Sequence, residues 1–302
     1  MRTTDQTGLA IVLSLIALTL FDTMGLIIKH LSSTYSAAEL SMWRNLFGLV
    51  PSIVALWSYR AWRSSGRRLK LRQWKLAFFR GAVITIAQLC FYMSLGLMAF
   101  ATASTITYSG ALFTTALAIP ILGERVGWVR WGAVLVGFIG VIMVIQPGSS
   151  GFSFYALLPL AAAACYALAG VTARVFDDDA PSPLVNLYAS VTSLIGAFLI
   201  TFFWGGFTPI ASATDMGWIV LMGAFGGTAV LFLVVSCRMT EQSNLAPFSY
   251  FGIPLAFALG WLFFNEAPWS SLFPGALLIA AGGLLIVWRE RSRSKTVTNL
   301  NQ

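Results

Sequence analysis

The sequence contains few charged residues, one histidine and three cysteines, and each shortage excludes a class of function. Of its 302 residues, 10% are charged and 58% are hydrophobic. Soluble domains carry about 25% charged residues, so a water-soluble fold of this size is excluded. One histidine supports neither a zinc site nor a Ser-His-Asp triad. We therefore expect no metal, no cofactor and no catalytic residues.

The cysteines and glycines exclude two further classes of site. Cys90, Cys165 and Cys237 lie within apolar runs and have neither paired nor metal-ligand spacing, so we expect free thiols. The sequence has no Walker loop and no dinucleotide-binding glycine fingerprint, and its glycine-rich stretches lie within apolar runs, where small residues let helices approach. Transport driven by ATP through this chain alone is therefore disfavoured.

The chain contains instead a succession of long apolar runs. A membrane-spanning helix needs about 20 apolar residues, so this length accommodates about ten crossings. Window hydropathy predicts spans at 9–29, 37–58, 75–98, 102–122, 129–146, 153–174, 183–204, 216–238, 243–264 and 271–288. We predict an all-α polytopic membrane protein of ten transmembrane helices, with its substrate handled inside the helix bundle.

The basic residues orient this bundle. A net charge of +8 is compatible with a nucleic-acid binder, but the lysines and arginines lie between and after the apolar runs. They cluster at 60–75 and in the C-terminal tail, whereas the loops on the opposite side contain only Lys29. The positive-inside rule then predicts a bacterial inner-membrane protein with both termini cytoplasmic. We expect lipid and a small-molecule substrate as partners, no nucleic acid, and a monomer.

The two halves of the sequence repeat each other. At one fixed offset the aligned pairs are Gly81 with Gly223, Ala87 with Ala229, Ser94 with Ser236, Tyr108 with Tyr250, Gly110 with Gly252 and Glu124 with Glu266. We predict five-helix repeats at 1–148 and 149–302. Five is an odd number, so the second repeat enters the membrane from the other side, and inverted repeats are typical of alternating-access transporters.

Several segments resemble a known family. They are 80–92, the motif LGERV at 122–126, the glycine-rich run 130–141, and weaker counterparts at 250–254, 265–268 and 275–283. Together they resemble the EamA domain of the drug/metabolite transporter superfamily. The resemblance implies a ten-helix bundle with a central cavity lined mainly by the first four helices of each half. The sequence departs from the family pattern at Gly110-Ala111, where the family frequently has Ala-Pro. It also departs at Asn265, which replaces the glycine that precedes the glutamate in the family.

Charged residues within the spans are the first candidates for the substrate site, because burying a charge in a membrane is costly. Asp22 and Arg44 lie at matched depth, about 10 Å inside the outer ends of adjacent antiparallel helices, so an ion pair is geometrically possible. Two alternatives remain open. The pair could only lock the helices together, or one member could also bind a carboxylate or amine of the substrate.

Polar residues at helical spacing supply further candidates. Arg80, Gln88 and Tyr92 recur at multiples of four, which predicts a polar stripe facing a cavity. Gln88 lies near mid-membrane and is the better binding candidate, whereas Arg80 suits a gate or structural role. The repeat-related Tyr108 and Tyr250 could present rings and hydroxyls to one ligand, with ordinary packing as the alternative.

The remaining candidates carry weaker signals. Trp43, Tyr166 and Asn186 are additional candidates for substrate contact, although packing is the simpler role for Trp43. Glu124 and Glu266 follow helix C-termini, where the helix dipole disfavours a carboxylate. Each should therefore have a basic or backbone-donor partner, and we expect a gate or structural role for both.

The leading functional hypothesis is export, or gradient-driven exchange, of amino acids or similar amphipathic metabolites. The first alternative is uptake of a larger planar metabolite, a vitamin or nucleoside derivative such as riboflavin or S-adenosylmethionine. The second is a membrane enzyme or an assembly subunit. The resemblance indicates the process of transport and not its cargo, because substrates across the superfamily range from amino acids to drugs.

Overall fold

The computed structural model describes residues 4–64, 66, 69–123, 128–147, 153–177, 180–239, 245, 248–285 and 288. All regular structure within these residues is helical, and ten principal helices follow the order of the ten predicted spans. Their bounds are α1 Thr4–Leu31, α2 Ala37–Ser58, α3 Trp74–Leu97, α4 Phe100–Leu122, α5 Trp128–Ile145, α6 Phe154–Val175, α7 Ser182–Gly205, α8 Ala213–Met239, α9 Gly252–Phe264 and α10 Gly275–Leu285. The prediction of an all-α polytopic protein is confirmed.

Most of these helices are long and apolar enough to cross a membrane. Six meet that description over the described residues, namely α1, α3, α4, α6, α7 and α8. The apolar helices at Trp131–Ile145, Gly252–Phe264 and Gly275–Leu285 are shorter. The remaining helix, α2, is 22 residues long and carries Arg44 and Asn45 in its middle, which lowers its hydropathy.

The ends of α4 and α9 show how the repeat is preserved despite a sequence difference. Gly123 ends α4 with φ of 68°, and its repeat-related residue Asn265 ends α9 with φ of 54°. Asparagine tolerates this left-handed conformation better than other residues with a side chain. The replacement of glycine by Asn265 therefore leaves the helix end unchanged.

Helix α4 is broken near its middle. It consists of Phe100–Tyr108 and Gly110–Leu122, joined at Ser109. The break directly precedes Gly110-Ala111, the position at which the EamA domain frequently has Ala-Pro. The structure shows an interruption at this point without a proline.

Eight helices form a closed ring, and its order interleaves the two repeats. Around the ring the neighbours are α1, α8, α2, α7, α3, α6, α4, α9 and again α1. Each helix of the first repeat therefore lies between two helices of the second. Helices that are adjacent in sequence, such as α1 and α2, are separated in the ring by a helix of the other half.

The last helix of each repeat, α5 and α10, lies outside this ring, and the two cross each other at glycines. A Cβ atom placed on Gly140 would lie 2.6 Å from the carbonyl oxygen of Gly275 and 2.8 Å from the backbone nitrogen of Ile279. A Cβ on Gly282 would lie 2.8 Å from the Cα of Gly137. The backbones thus approach directly, as is common where membrane helices associate through small residues.

This crossing predicts a position-specific effect of alanine. Gly140→Ala should destabilise the protein by about 1–3 kcal/mol, because the atoms in its way are backbone and cannot rotate aside. Gly132→Ala in the same helix is the matched control, since no atom lies within 4 Å of its Cβ position. Thermal unfolding in detergent measures both, and equal melting temperatures for the two variants would contradict the close crossing.

Candidate functional site

The ring encloses a cavity of about 430 Å³, lined by residues of α1, α2, α3, α4, α6, α7 and α8. Its wall combines apolar side chains, among them Leu18, Phe21, Ile84 and Phe91, with a few polar ones. Predicted site residues on this wall are Asp22, Arg44, Arg80, Gln88, Tyr92, Tyr108, Tyr166 and Asn186. A large, mostly apolar cavity with a few polar groups is the usual form of a small-molecule site.

Two candidates lie elsewhere. Trp43 stacks on Phe47, with ring centroids 6.1 Å apart, and does not line the cavity. Tyr250 is buried in an apolar cluster with Ile253 and Phe257, and its ring lies against Gly283 of α10. The structure therefore does not bring Tyr108 and Tyr250 to a common site, because Tyr250 packs towards the outer helix pair rather than into the ring.

Among the described residues, the Asp22 carboxyl group has one hydrogen-bond partner. The Tyr108 hydroxyl donates to its two oxygens, at 3.2 and 3.3 Å, and Asp22 is 7% exposed. The predicted ion pair with Arg44 is not formed, since no basic nitrogen of the described residues lies within 4.0 Å of Asp22. In the ring α8 lies between α1 and α2, and the Arg44 guanidinium bonds to α8 and to Asn45 instead.

Arg44 is held at the contact of α2 with α8. Its Nη1 donates to Asn45 Oδ1 at 3.0 Å, and its Nη2 donates to the carbonyl oxygen of Gly226 at 3.3 Å. Its Nε is buried and has no hydrogen-bond partner in the part of the chain that the structure describes. A Cβ on Gly226 would lie 2.7 Å from this Nε, so the glycine provides the space in which the guanidinium lies.

Gln88 belongs to a buried polar network that joins α2, α3 and α7. Asn45 Nδ2 donates to Gln88 Oε1 at 2.8 Å and to Ser193 Oγ at 3.1 Å. Ser41 Oγ donates to the same Gln88 oxygen at 2.7 Å, and Thr85 Oγ1 donates to Ser193 Oγ at 3.2 Å. All five residues are buried. Gln88 thus lines the cavity, but its carbonyl oxygen is engaged in holding three helices together.

Sequence reasoning missed the other members of this network. Asn45 follows Arg44 directly, and Ser41 lies one turn before Asn45 on α2, a helical spacing that indicates a shared polar face. Ser193 carries no comparable signal, because a lone serine in an apolar helix usually bonds to its own backbone. Asn186, two turns from Ser193 on α7, donates to Ser52 Oγ at 3.5 Å and lines the cavity.

Arg80 lies on the cavity wall, in the second turn of α3. Its Nε donates to the carbonyl oxygen of Ala169 in α6 at 2.9 Å. Its two terminal nitrogens have no hydrogen-bond partner in the described part of the chain. Glu124, for which we also expect a gate or structural role, lies outside the described residues.

At the end of the ring where α1 finishes, one cluster joins four helix ends. Lys29 Nζ contacts Glu266 Oε1 at 2.8 Å and donates to the carbonyl oxygen of Met98 at 2.7 Å. The backbone N–H of Phe100, the first residue of α4, donates to Glu266 Oε2 at 2.9 Å. Glu266 therefore has both kinds of partner that we expected, and its carboxylate caps the N-terminus of α4. We call this group the Lys29–Glu266 cluster.

Other polar contacts between the two halves lie at this same end. Tyr35 Oη donates to Asp215 Oδ2 at 2.9 Å and accepts from the backbone N–H of Ala211 at 3.1 Å. Glu39 accepts hydrogen bonds from the backbone and the hydroxyl of Thr208. The cavity is thus separated from this end by a layer of polar contacts that crosses between the repeats.

Comparison with known proteins gives a family match over both halves. The sequence model of the EamA-like transporter family matches residues 8–146 and 153–288. The S-adenosylmethionine uptake transporter of Rickettsia prowazekii (strain Madrid E) is 24% identical over 280 residues, covering 92% of this chain and 91% of that protein. The pseudopaline exporter of Pseudomonas aeruginosa (strain UCBPP-PA14) is 26% identical over 279 residues, covering 92% and 93%.

A third relative and a solved structure complete the comparison. The riboflavin transporter of Rhizobium johnstonii is 32% identical over 176 residues, covering 58% of this chain and 57% of that protein. A crystal structure matches 94% of this chain and 98% of its own, with a TM-score of 0.65 and 18% identity. This structural likeness supports the fold alone.

The Lys29–Glu266 cluster predicts an energetic coupling between its two side chains. Lys29→Met and Glu266→Gln should each lower stability, by about 1.5–3 kcal/mol for loss of a hydrogen bond to a charged group. The double variant should lose less than the sum of the two, because each single change leaves the other charge without its partner. Thermal unfolding in detergent gives all four values, and strictly additive losses would exclude the coupling.

Proposed function

The chain belongs to the EamA-like transporter family, and we propose that it exports or exchanges small amphipathic metabolites by alternating access through the cavity of the eight-helix ring. As a member of this family it is a multi-pass membrane transporter and not an enzyme, so the membrane-enzyme alternative is set aside. The prediction of a drug/metabolite transporter is confirmed at this level. Its cargo, its direction of transport and its orientation in the membrane are proposals.

One observation carries the proposal: the cavity is walled by alternating helices of the two repeats. A movement of one repeat against the other therefore changes the contact between every pair of neighbouring helices in the ring. Inverted repeats around a midplane site are a recurring basis for alternating access. The Lys29–Glu266 cluster and the Tyr35–Asp215 contact close one end, and they would have to separate for that end to open.

The polar groups on the wall support an amino-acid-like head group in the cargo. Asp22 offers a carboxyl to an amine, and the guanidinium of Arg44 offers donors to a carboxylate. Leu18, Phe21 and Phe91 provide an apolar surface for the body of the molecule. An amphipathic metabolite that carries both an amine and a carboxylate would contact all of these groups.

A second candidate is uptake of a larger planar metabolite. Two of the relatives are named as transporters of S-adenosylmethionine and riboflavin, whereas a third is named as an exporter. A cavity of about 430 Å³ lies within the range of about 300–1,000 Å³ that is usual for drug-sized ligands, so its size is compatible with both candidates.

The proposal is tested with purified protein in liposomes filled with a cellular metabolite extract. Mass spectrometry of the compounds that leave the vesicles identifies the cargo, and added S-adenosylmethionine and riboflavin test the second candidate. We expect efflux of amino-acid-like compounds at rates well above those of empty liposomes. Vesicles that release none of these compounds would refute transport by the isolated chain.

The variant that tests the cavity is Asp22→Asn. It keeps an acceptor for Tyr108 but removes the charge, so transport should fall at least tenfold while the protein remains folded. Thr23→Val is the matched control, because Thr23 is next in α1 and its hydroxyl donates to the carbonyl oxygen of Thr19. Normal transport by a stable Asp22→Asn protein would show that the charge of Asp22 has no role in the substrate site.

We also propose that both termini and the 60–75 loop face the cytoplasm of a bacterial cell, and that the chain acts as a monomer. The charge distribution supports this orientation, because the α1–α2 end carries few basic residues.

Cysteine labelling in intact cells tests the orientation in a background without native cysteines. A cysteine at the exposed Ser33 should react with an impermeant maleimide, whereas a cysteine at Arg67 should react only after permeabilisation. Labelling in the opposite pattern would show that the orientation is the reverse of the one proposed. Labelling of both cysteines from outside would contradict the predicted topology.

A further inference from the structure

The charges on the cavity wall do not balance. The described residues that line it include two guanidinium groups, on Arg44 and Arg80, and one carboxyl group, on Asp22. Arginine stays protonated in proteins. The wall therefore carries a net charge of +1 if Asp22 is ionised, and +2 if it is protonated.

The described residues do not neutralise this excess. The described partners of Arg44 are an amide oxygen and a backbone carbonyl oxygen, and that of Arg80 is a backbone carbonyl oxygen. No carboxylate among the described residues lies within 4.0 Å of either guanidinium. Charges inside a membrane protein are normally paired, so both arginines lack, within the described part of the chain, the partner that their depth requires.

Both guanidinium groups also retain unused donors. A guanidinium carries five N–H groups. Towards the described residues, Arg44 uses one from each terminal nitrogen, and its Nε is buried without a partner. Arg80 uses only its Nε there. Because Arg80 lines the cavity, its terminal nitrogens can serve as the fork that binds an oxyanion.

The two arginines lie at different levels of the cavity. Arg44 is bonded to Asn45, which contacts Gln88, and Arg80 lies two helical turns from Gln88 on α3. Two turns of helix correspond to about 11 Å. A ligand that engages both guanidinium groups thus needs two separate oxyanions rather than one shared between them.

We propose that the transported metabolite carries two anionic groups, a carboxylate for Arg44 and a second oxyanion, carboxylate or phosphate, for Arg80. This inference rests on the proposed function and narrows it from an amphipathic amino acid to one with an additional acidic group. With two carboxylates, such a ligand neutralises the wall when it also presents an amine to the ionised Asp22.

Two matched pairs of probes test the second anion by binding to the purified wild-type protein in detergent. L-Aspartyl-L-phenylalanine differs from its methyl ester by one carboxylate, and O-phospho-L-tyrosine differs from L-tyrosine by one phosphate. We expect at least tenfold tighter binding of the more anionic member. A preference in the first pair assigns a carboxylate, and one in the second pair assigns a phosphate. Equal binding within both pairs, or no binding by any probe, overturns the inference.

Variants locate the preference at Arg80. Arg80→Gln should reduce the tenfold preference to less than threefold, whereas Arg80→Lys, which keeps the charge, should retain most of it. Arg72→Gln is the control for general charge attraction, because Arg72 is exposed and does not line the cavity. If Arg80→Gln does not fold, the two probe pairs measured on the wild-type protein still decide whether a second anion is bound. An undiminished preference in a folded Arg80→Gln protein would overturn the assignment.

The binding test of this inference and the transport test of the proposed function can fail independently of each other. A protein that releases metabolites from extract-filled liposomes but binds both members of each pair equally keeps its function as a transporter and loses this inference. A protein that transports nothing refutes the proposed function, whatever the binding data.

Discussion

A charged side chain at membrane depth has no bulk water to solvate it, and the arrangement of this protein follows from how each such group finds a partner. Lys29 and Glu266 satisfy each other and two backbone groups, and their contact joins the ends of four helices. Among the described residues, the Asp22 carboxyl group has only a tyrosine hydroxyl as its hydrogen-bond partner. Arg44 and Arg80 donate there only to neutral acceptors. The fully paired charges thus lie at the closed end, and the incompletely paired ones face the cavity.

The interleaved ring explains why these groups lie where they do. Each helix contacts two helices of the other repeat, so polar residues from both repeats meet between them. Asn45 of the first repeat contacts Ser193 of the second, and Arg44 bonds to the backbone of α8. Glycines at these contacts permit the approach: a Cβ on Gly227 would lie 2.9 Å from the carbonyl oxygen of Gly48. Close packing and buried polar contacts are therefore two results of the same interleaving.

Structural features that depend on a local sequence pattern could be predicted from the sequence. Apolar length predicted the helices, and the four-residue spacing of Arg80, Gln88 and Tyr92 correctly indicated one face, since all three line the cavity. The expectation of a partner for Glu266 followed from its place after a helix end, and Lys29 stood out as the basic residue of the sparse side. Each of these inferences needs only the geometry of one helix.

The errors arose where the order of helices around the ring was needed. Asp22 and Arg44 were paired because their helices are consecutive, but α8 lies between them. Tyr108 and Tyr250 were paired because the repeat makes them equivalent, yet only Tyr108 faces the cavity. Hydropathy and repeat spacing give the depth of a residue but not its direction around the bundle. That direction depends on contacts between helices far apart in sequence.

The broken helix α4 connects the closed end with the cavity. Its first residue, Phe100, donates its backbone N–H to Glu266, and its first segment ends at Tyr108, which bonds to Asp22. Phe100–Tyr108 is a single helical segment of nine residues, and the chain is interrupted directly after it at Ser109. One continuous helical segment thus begins at the residue that Glu266 caps and ends at the tyrosine that bonds to Asp22 on the cavity wall. The closed end and the cavity are therefore joined through a single element of the first repeat, and not only through contacts between the repeats.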